Sequence, residues 1–358
     1  MKKNYIAIAS GLLLASVLTG CSVSASAAIE ENGLGVTTET AVQSTEAQQA
    51  ETQSTAAQQS DAQSAQAQAD GNAAAPIVYM TTDISSDGLM KAYQALGVDL
   101  TGKHVGVKMS TGENGSNYLR PELIQNLVQT VNGTIVECNT AYGGNRANTA
   151  MHKQLAEDHG FTAIADVDIM DEAGSMEIPI TGGQHLSTDT VGNHFANYDY
   201  YLVLSHFKGH AMGGFGGAIK NISIGFASSQ GKTKIHTAGK GGSMWGADQD
   251  DFLESMADAA KGVTDYMGEN IIYISVMNRL SVDCDCDGNP AEPDMHDIGI
   301  LASTDPVALD QACVDLVYAA PDGASLIQRM ESRNGIHTLE AAEAIGVGSR
   351  TYSLQSID

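Results

Sequence analysis

Basic residues are scarce in this chain. Its 358 residues include 18 Lys and Arg against 43 Asp and Glu, which gives a formal net charge of −25 at pH 7. Nucleic acids and anionic membrane surfaces attract proteins that present positive charge. The composition therefore makes the chain a poor candidate for either partner, and we predict no nucleic-acid binding.

Long apolar runs are also lacking. No stretch reaches the ~20 apolar residues of a membrane-spanning helix. The longest apolar stretch spans residues 6–18 and follows Lys2 and Lys3. It is followed by a cysteine, in the sequence Leu18-Thr19-Gly20-Cys21. Small residues directly before a cysteine resemble the lipobox of bacterial lipoproteins. We predict a signal peptide at 1–20, lipid attachment at Cys21, and a location on the extracytoplasmic face of a bacterial membrane, with the lipid as the only anchor. The alternative is an ordinary secretory signal followed by an incidental cysteine.

Large apolar residues are almost absent from 22–75. This stretch consists mostly of Ala, Gln, Ser and Thr and contains no Lys or Arg. Such a segment buries too little surface to offset the entropy lost on ordering. We predict a disordered tether at 21–76 and a folded domain at 77–358.

Cysteines are few as well. Beyond Cys21 there are only Cys138, Cys284, Cys286 and Cys313, too few for a disulfide scaffold in a domain of this size. Cys284 and Cys286 stand too close in sequence to pair comfortably with each other. Their setting, Asp-Cys-Asp-Cys-Asp at 283–287, predicts a metal ion on both thiolates, with iron or zinc favoured. The alternative is an acidic turn with two free thiols.

The remaining sequence alternates between strand and helix patterns. Apolar runs predict strands at 77–80, 104–109, 134–138, 200–205, 271–277 and 298–302. Helices are predicted at 89–96, 121–131, 149–159 and 251–267, and Asp305-Pro306 opens another as N-cap and first helical residue. The pattern predicts an α/β fold with a mostly parallel or mixed sheet flanked by helices, as one large or two closely joined subdomains. Sites in such folds lie at the carboxyl ends of strands.

One segment lacks acidic residues altogether. Between 200 and 247 there is no Asp or Glu, although the average composition would place about six there, and there are five lysines and three histidines. Glycines let backbone N–H groups approach an anion, and lysine supplies the counter-charge. We predict a site for a small anionic ligand. The residues expected to hold the anion are Lys108, Lys220, Asn221, Gly216 and Gly217. The residues expected to act in catalysis are His206, His210, His236 and Lys208. The alternative is a glycine-rich turn with its lysines in solvent.

Asp310 lies further along the helix that Asp305-Pro306 opens, and it is expected to be solvated.

These stretches together resemble the DUF362 family, which is named for its undefined function. The resemblance covers about 77–349. It rests on Val107-Lys108 with Glu113, Tyr118-Leu119-Arg120-Pro121, Asn139-Thr140-Ala141-Tyr142, Arg146, His152, Gly160-Phe161, Ser205-His206-Phe207-Lys208-Gly209-His210, the glycines from Gly213 to Asn221, Gly231-Lys232, Cys284-Asp285-Cys286 and the run from Asp297 to Ala308.

Many members of that family carry an inserted ferredoxin-type segment and are described as iron–sulfur proteins. This sequence has no Cys-x₂-Cys-x₂-Cys run, so a ferredoxin-type cluster is not expected in it. The resemblance thus implies the shared core with its His/Lys and Cys-Asp-Cys segments. Two functions remain open: a metal-dependent or redox-linked enzyme acting on a small anion, with an unidentified redox partner, and a non-catalytic envelope lipoprotein that binds an anion or a metal.

Overall fold

The computed structural model describes residues 74–358. The predicted signal peptide, the lipid attachment at Cys21 and nearly all of the predicted tether lie outside these residues. Within the described part, no helix combines the length and the apolar character needed to cross a membrane.

An eight-stranded mixed sheet organises the fold. Its strands are β1 (Ile77–Thr81), β2 (Val105–Lys108), β3 (Thr134–Glu137), β4 (Val167–Ile169), β7 (Tyr200–His206), β10 (Ile271–Met277), β11 (Gly299–Ser303) and β12 (Ser353–Ser356). They lie in the order β12-β1-β11-β10-β7-β2-β3-β4. Strands β10, β7, β2, β3 and β4 run parallel, β11 is antiparallel to both of its neighbours, and β12 is parallel to β1. This confirms the predicted α/β class with a mostly parallel sheet.

Two small hairpins stand apart from the central sheet. Strand β5 (Ser175–Pro179) pairs with β6 (Thr188–Gly192), and β8 (Lys208–His210) pairs with β9 (Gly214–Gly216). The second hairpin directly follows β7, and it therefore places the acid-free segment beside the carboxyl end of that strand.

Helices cover both faces of the sheet. They are α1 (Ser86–Ala95), α2 (Pro121–Thr130), α3 (Thr149–Asp158), α4 (Ala218–Ser223), α5 (Ser229–His236), α6 (Gln249–Met267), α7 (Pro306–Ala319), α8 (Ala324–Glu331) and α9 (His337–Ala344). The predicted cap of α7 is confirmed, because the Asp305 carboxylate accepts hydrogen bonds from the N–H groups of Val307 and Ala308.

The core lies on both sides of the sheet. All seven residues of β7 and of β10 are buried. Alternate residues of β7 join different clusters: Tyr201 and Val203 pack on one face, and Leu202 and Leu204 on the other. Burial on both faces explains why the central strands read as uninterrupted apolar runs.

Candidate functional site

The carboxyl ends of four parallel strands surround one cavity. Lys108 ends β2, Glu137 ends β3, His206 ends β7, and the segment 278–298 follows β10. The cavity has a volume of about 290 Å³. Its lining includes every residue predicted for anion binding, catalysis or metal binding: Lys108, His206, Lys208, His210, Gly216, Gly217, Lys220, Asn221, His236, Cys284 and Cys286. The His/Lys segment and the Cys-Asp-Cys segment therefore form one site.

Asp285 joins these two segments. Its carboxylate accepts a hydrogen bond from Lys208 Nζ at 2.6 Å and lies 3.1 Å from His206 Nδ1, and the residue is 2% exposed. Burial acts to raise the pKa of this carboxyl, but the Lys208 ammonium and the His206 ring hold it well below its usual range. Asp285 is consequently a buried carboxylate that fixes the Cys-bearing segment to β7 and β8.

Gly209 allows this close approach. Its N–H donates to Ser281 O at 2.8 Å, and a Cβ at position 209 would overlap with Val282 O. The glycine is therefore required where β8 meets the segment 278–298.

His206 has no free nitrogen lone pair in this arrangement. Its Nδ1 faces the Asp285 carboxylate and its Nε2 lies 2.6 Å from Asn278 O. Both partners accept hydrogen bonds, so the ring satisfies them only when both nitrogens carry hydrogen. His206 is thus held as a hydrogen-bond donor rather than as a metal ligand.

His210 has the opposite arrangement at Nδ1. This nitrogen accepts N–H groups of Met212 at 3.1 Å and Gly213 at 2.9 Å. Burial, followed by the nearby charges of Lys220, His236 and Lys208, lowers the pKa of the ring well below its usual value. The neutral ring then carries its hydrogen on Nε2, where it is available as a donor to a ligand.

His236 alone among the three predicted histidines keeps a lone pair free. Its Nδ1 lies 2.7 Å from Lys232 O and must donate to it, which leaves Nε2 unprotonated in the neutral ring. Burial lowers the pKa of this histidine to about 4. Its ring stacks on Phe252 with the centroids 4.8 Å apart. His236 therefore presents an unprotonated nitrogen that can accept a hydrogen bond or bind a metal.

Three lysines of the cavity have no carboxylate partner among residues 74–358. Lys108 Nζ donates to Met109 O at 2.8 Å and to Asn221 Oδ1 at 3.0 Å, and Lys232 Nζ donates to Ala227 O at 2.6 Å. Lys220 Nζ donates to no atom of the described residues. Burial lowers the pKa of Lys108 to about 8 and that of Lys220 to about 7, and it also lowers that of Lys232. The cavity therefore holds three amines that contact no carboxylate among the described residues, and burial makes their charged forms costly.

Asn221 holds one of these lysines in place. Besides accepting from Lys108 Nζ, its amide donates to Leu204 O at 3.2 Å and Ser205 Oγ at 3.1 Å. Its amide is thus engaged with protein atoms at the ends of β2 and β7. Asn221 positions Lys108 through these contacts, and its role as an anion ligand stays a prediction.

The two cavity glycines at 216 and 217 differ in how much space a side chain would have. The N–H groups of Ala218 and Ile219, which begin α4, donate to the buried Asp310 carboxylate at 2.7 and 2.9 Å. The expectation that Asp310 is solvated was therefore wrong, because it caps a helix remote in sequence. A Cβ at Gly217 would overlap with Asp310 Oδ1, whereas one at Gly216 would lie 3.7 Å from Lys220 Cδ.

Replacing Gly217 by Ala is expected to lower the free energy of unfolding by ~1–3 kcal/mol, because the added methyl forces the buried Asp310 carboxylate off the start of α4. Gly216→Ala is the matched control and should change it by less than about 0.5 kcal/mol. Urea unfolding of both variants measures the difference. Equal stability of the two would contradict this role for Gly217.

Cys284 and Cys286 form a disulfide. This overturns the expectation that the two stand too close in sequence to pair. A turn closed by the hydrogen bond from Asp287 N to Cys284 O, 2.9 Å long, holds their Cα atoms 5.2 Å apart, within the usual range for a disulfide. The sulfurs and a ring nitrogen of His210 lie within 4.8 Å of one another. Thiolates, not disulfide sulfurs, bind metal ions, so this group fits a metal only after reduction.

The family model for a domain of unknown function, DUF362, matches residues 105–315, which is more than half of the chain. The chain belongs to the DUF362 family. The matched region begins at the first residue of β2 and ends within α7, and it therefore contains all the strand ends that form the cavity.

Two solved structures are similar to this DUF362 chain. The lactate racemase apoprotein from Thermoanaerobacterium thermosaccharolyticum matches with a TM-score of 0.41 and 15% identity, over 68% of this chain and 57% of that one. A Thermotoga maritima protein solved by a structural genomics consortium matches with a TM-score of 0.40 and 11% identity, over 72% of this chain and 58% of that one. The DUF362 chain thus spans less than two thirds of either protein. No curated protein matches it.

An ionic network that the sequence did not predict lies at the edge of the site. In the DUF362 chain, Arg146 Nε contacts Glu113 Oε1 at 3.0 Å and its Nη1 contacts Glu137 Oε1 at 3.1 Å. His152 Nε2 lies 2.8 Å from the other Glu137 oxygen. Arg146, Glu137 and the exposed Trp245 all line the cavity. Glu137 could have been recognised as a site residue because it is an acidic residue near the end of the predicted strand 134–138. Nothing in the local sequence distinguishes Trp245.

Proposed function

We propose that this chain is a lipid-anchored, extracytoplasmic protein that binds a small anionic molecule and acts on it through a redox-active Cys284–Cys286 pair. The observation that carries the proposal is the group of three buried or half-buried lysines, Lys108, Lys220 and Lys232, which share one cavity with the cysteine pair and contact no carboxylate among the described residues. An anionic ligand would supply the missing negative charge.

The pair would cycle by thiol–disulfide exchange. Cys286 is half-buried, so a thiolate of an external dithiol can attack its sulfur, release the Cys284 thiolate and form a mixed disulfide. The second thiol of that partner then displaces Cys286. Two electrons and two protons thereby reach the pair, and a bound anion that accepts two electrons and two protons would regenerate the disulfide.

Three neighbouring groups would position the anion and move protons. Lys220 and the Nε2–H of His210 would donate hydrogen bonds to it, and the unprotonated Nε2 of His236 would accept a hydrogen bond from its protonated form. In the reduced state the two thiolates would also offer a site to zinc or iron, which would supply Lewis-acid or electron-transfer chemistry when bound.

Trp245 allows a direct test, because it is the single tryptophan of the chain and lines the cavity. Inorganic phosphate, sulfate and malonate are titrated against the oxidised and the dithiol-reduced chain while tryptophan fluorescence is followed. At least one anion should give a saturable change, and the apparent affinity should depend on the redox state of the cysteines. No saturable response to any anion would contradict the proposal.

The cysteine variants separate enzyme from binding protein. Elemental analysis of the reduced chain, purified without oxygen, should be compared with that of Cys284→Ser/Cys286→Ser. Stoichiometric iron or zinc lost in this variant would support a metal-dependent enzyme. If the oxidised chain, the reduced chain and the variant all bind the anion with the same affinity, the cysteines play no part in binding. That result would instead support a non-catalytic anion-binding lipoprotein.

A further inference from the structure

A second group of metal-ligating side chains lies outside the cavity lining. Nε2 of His185, in the connection between β5 and β6, lies 2.5 Å from Glu254 Oε2 and 3.9 Å from Asp251 Oδ1. Asp251 and Glu254 are three residues apart on α6, which places both carboxylates on the same helix face. One ligand atom of each residue lies within 4.8 Å of the others.

The loop that carries His185 is fixed on α6 by a separate buried group. Asp258, which is fully buried, accepts backbone N–H groups of Gln184 at 2.8 Å, His185 at 2.7 Å and Leu186 at 2.9 Å. These three hydrogen bonds hold the loop backbone over the helix, so the backbone at His185 does not need ordering when a ligand arrives.

His337 fixes the other side of the cluster. Its Nε2 lies 2.9 Å from Glu254 Oε1, the oxygen that does not face His185. A histidine or carboxylate that orients a metal ligand through its second atom is a regular feature of metal sites. The four side chains are partly exposed, between 17% and 25%, which leaves an entry path for an ion.

We propose that His185, Asp251 and Glu254 bind a divalent cation of the zinc class, with His337 orienting Glu254. One imidazole and two carboxylates provide three protein ligands, and water completes the tetrahedral coordination that zinc prefers. The ion joins the β5–β6 connection to α6, and through Glu254 to the first residue of α9. Lys240 contacts the other oxygen of Asp251 and competes with the cation for this carboxylate.

The test uses the full chain with Cys284→Ser/Cys286→Ser, so that zinc cannot bind the cavity thiols. After EDTA treatment and dialysis, zinc is titrated by isothermal calorimetry and Tm is measured with and without zinc. We expect one zinc per chain, with a Kd of about 10 µM or tighter, and a higher Tm with zinc. Calcium should bind at least tenfold more weakly, because imidazole is not a calcium ligand of choice.

Four substitutions assign the ligands. His185→Ala and Glu254→Gln should weaken zinc binding at least 100-fold, and His337→Ala about tenfold. Lys240→Ala should strengthen it, which a purely structural role for the cluster would not produce. His296→Ala is the matched control, because His296 pairs with Asp322 on the exposed surface and should leave zinc affinity unchanged.

Three results would overturn the proposal: no zinc binding by the Cys-free chain, unchanged affinity in both His185→Ala and Glu254→Gln, or calcium bound more tightly than zinc. Circular dichroism of each variant identifies a loss caused by unfolding, and Glu254→Gln keeps the shape and hydrogen-bonding capacity of the side chain. Because the cavity thiols are absent, failure here leaves the proposed anion-binding function untouched.

Discussion

Replacing Lys220 by Met is expected to weaken binding of the best-fitting anion by about 10–100-fold. A hydrogen bond to a charged group contributes about 1.5–3 kcal/mol, and 1.4 kcal/mol corresponds to a factor of ten in affinity. Lys220 Nζ has no acceptor among residues 74–358, so an anion would be its main partner. The double variant Lys108→Met/Lys220→Met should lose about 100-fold or more. Titrations followed by Trp245 fluorescence measure both losses.

The same lysines predict how anion affinity depends on pH. Burial lowers the pKa of Lys220 to about 7 and that of Lys108 to about 8, so both lose their charge as the pH rises through this range. The affinity for the anion should therefore be highest near pH 6.5 and should fall between pH 7 and 9. The fall is expected to reach about tenfold per pH unit for each proton that the protein takes up when the anion binds. Lys220→Arg should flatten the lower part of this profile, because arginine stays charged.

Lys234 is the matched control for these lysine variants. It belongs to the same acid-free segment, but its Nζ contacts Glu177 at 3.3 Å and Thr188 at 2.7 Å, and it does not line the cavity. Lys234→Met should leave anion affinity within about twofold of the parent, which is a difference of roughly 0.4 kcal/mol. An equal loss in Lys234→Met and Lys220→Met would mean that general surface charge, not the cavity, attracts the anion.

Replacing Asp285 by Ala is expected to lower the free energy of unfolding by ~3–5 kcal/mol. The change leaves the Lys208 ammonium and the doubly hydrogen-bonded His206 ring buried without their shared carboxylate. Asp287→Ala is the matched control, since this exposed aspartate in the same segment should contribute less than about 0.5 kcal/mol. Urea unfolding of the two variants gives the comparison.

If the Asp285 and Asp287 variants lose similar stability, Asp285 does not fix the Cys-bearing segment to β7 and β8. Asp285→Asn separates charge from shape in this test. It retains hydrogen-bonding capacity but not the negative charge, so it should lie between the parent and Asp285→Ala. The stability that Asp285→Asn loses measures how far Lys208 and His206 require a carboxylate rather than an amide.

The central strands could be predicted from the sequence because their burial is uniform. The prediction of 271–277 coincides with β10, in which every residue is buried and alternate apolar residues join the core clusters on the two faces of the sheet. The start of α7 was equally accessible, since Asp305 caps it within two or three residues of the same chain segment. Local signals of this kind need no knowledge of the tertiary structure.

Two of the elements that the sequence did not predict, α4 and β12, depend on distant contacts. Helix α4 begins after Gly217 in a glycine-rich stretch that by itself disfavours a helix, and Asp310 of α7 satisfies its first N–H groups. Strand β12 has only exposed residues and forms by pairing with β1. Neither element leaves a periodic pattern in its own sequence.

The lining of the candidate site could be predicted better than its chemistry. The absence of acids from 200–247 pointed to lysines that do line the cavity. In contrast, the state of each imidazole depends on contacts such as His206 with Asn278 O, and the disulfide depends on the turn at 284–287. These contacts arise from tertiary structure, which spacing alone does not encode.

A crystal structure of the protein with the tightest-binding anion tests the central claim most directly. The proposal predicts the anion in the cavity, with Lys220 Nζ and His210 Nε2 within about 3.2 Å of its oxygen atoms and the Cys284–Cys286 sulfurs beside it. An anion bound only outside the cavity, with Lys108, Lys220 and Lys232 still lacking a negatively charged partner, would contradict the account.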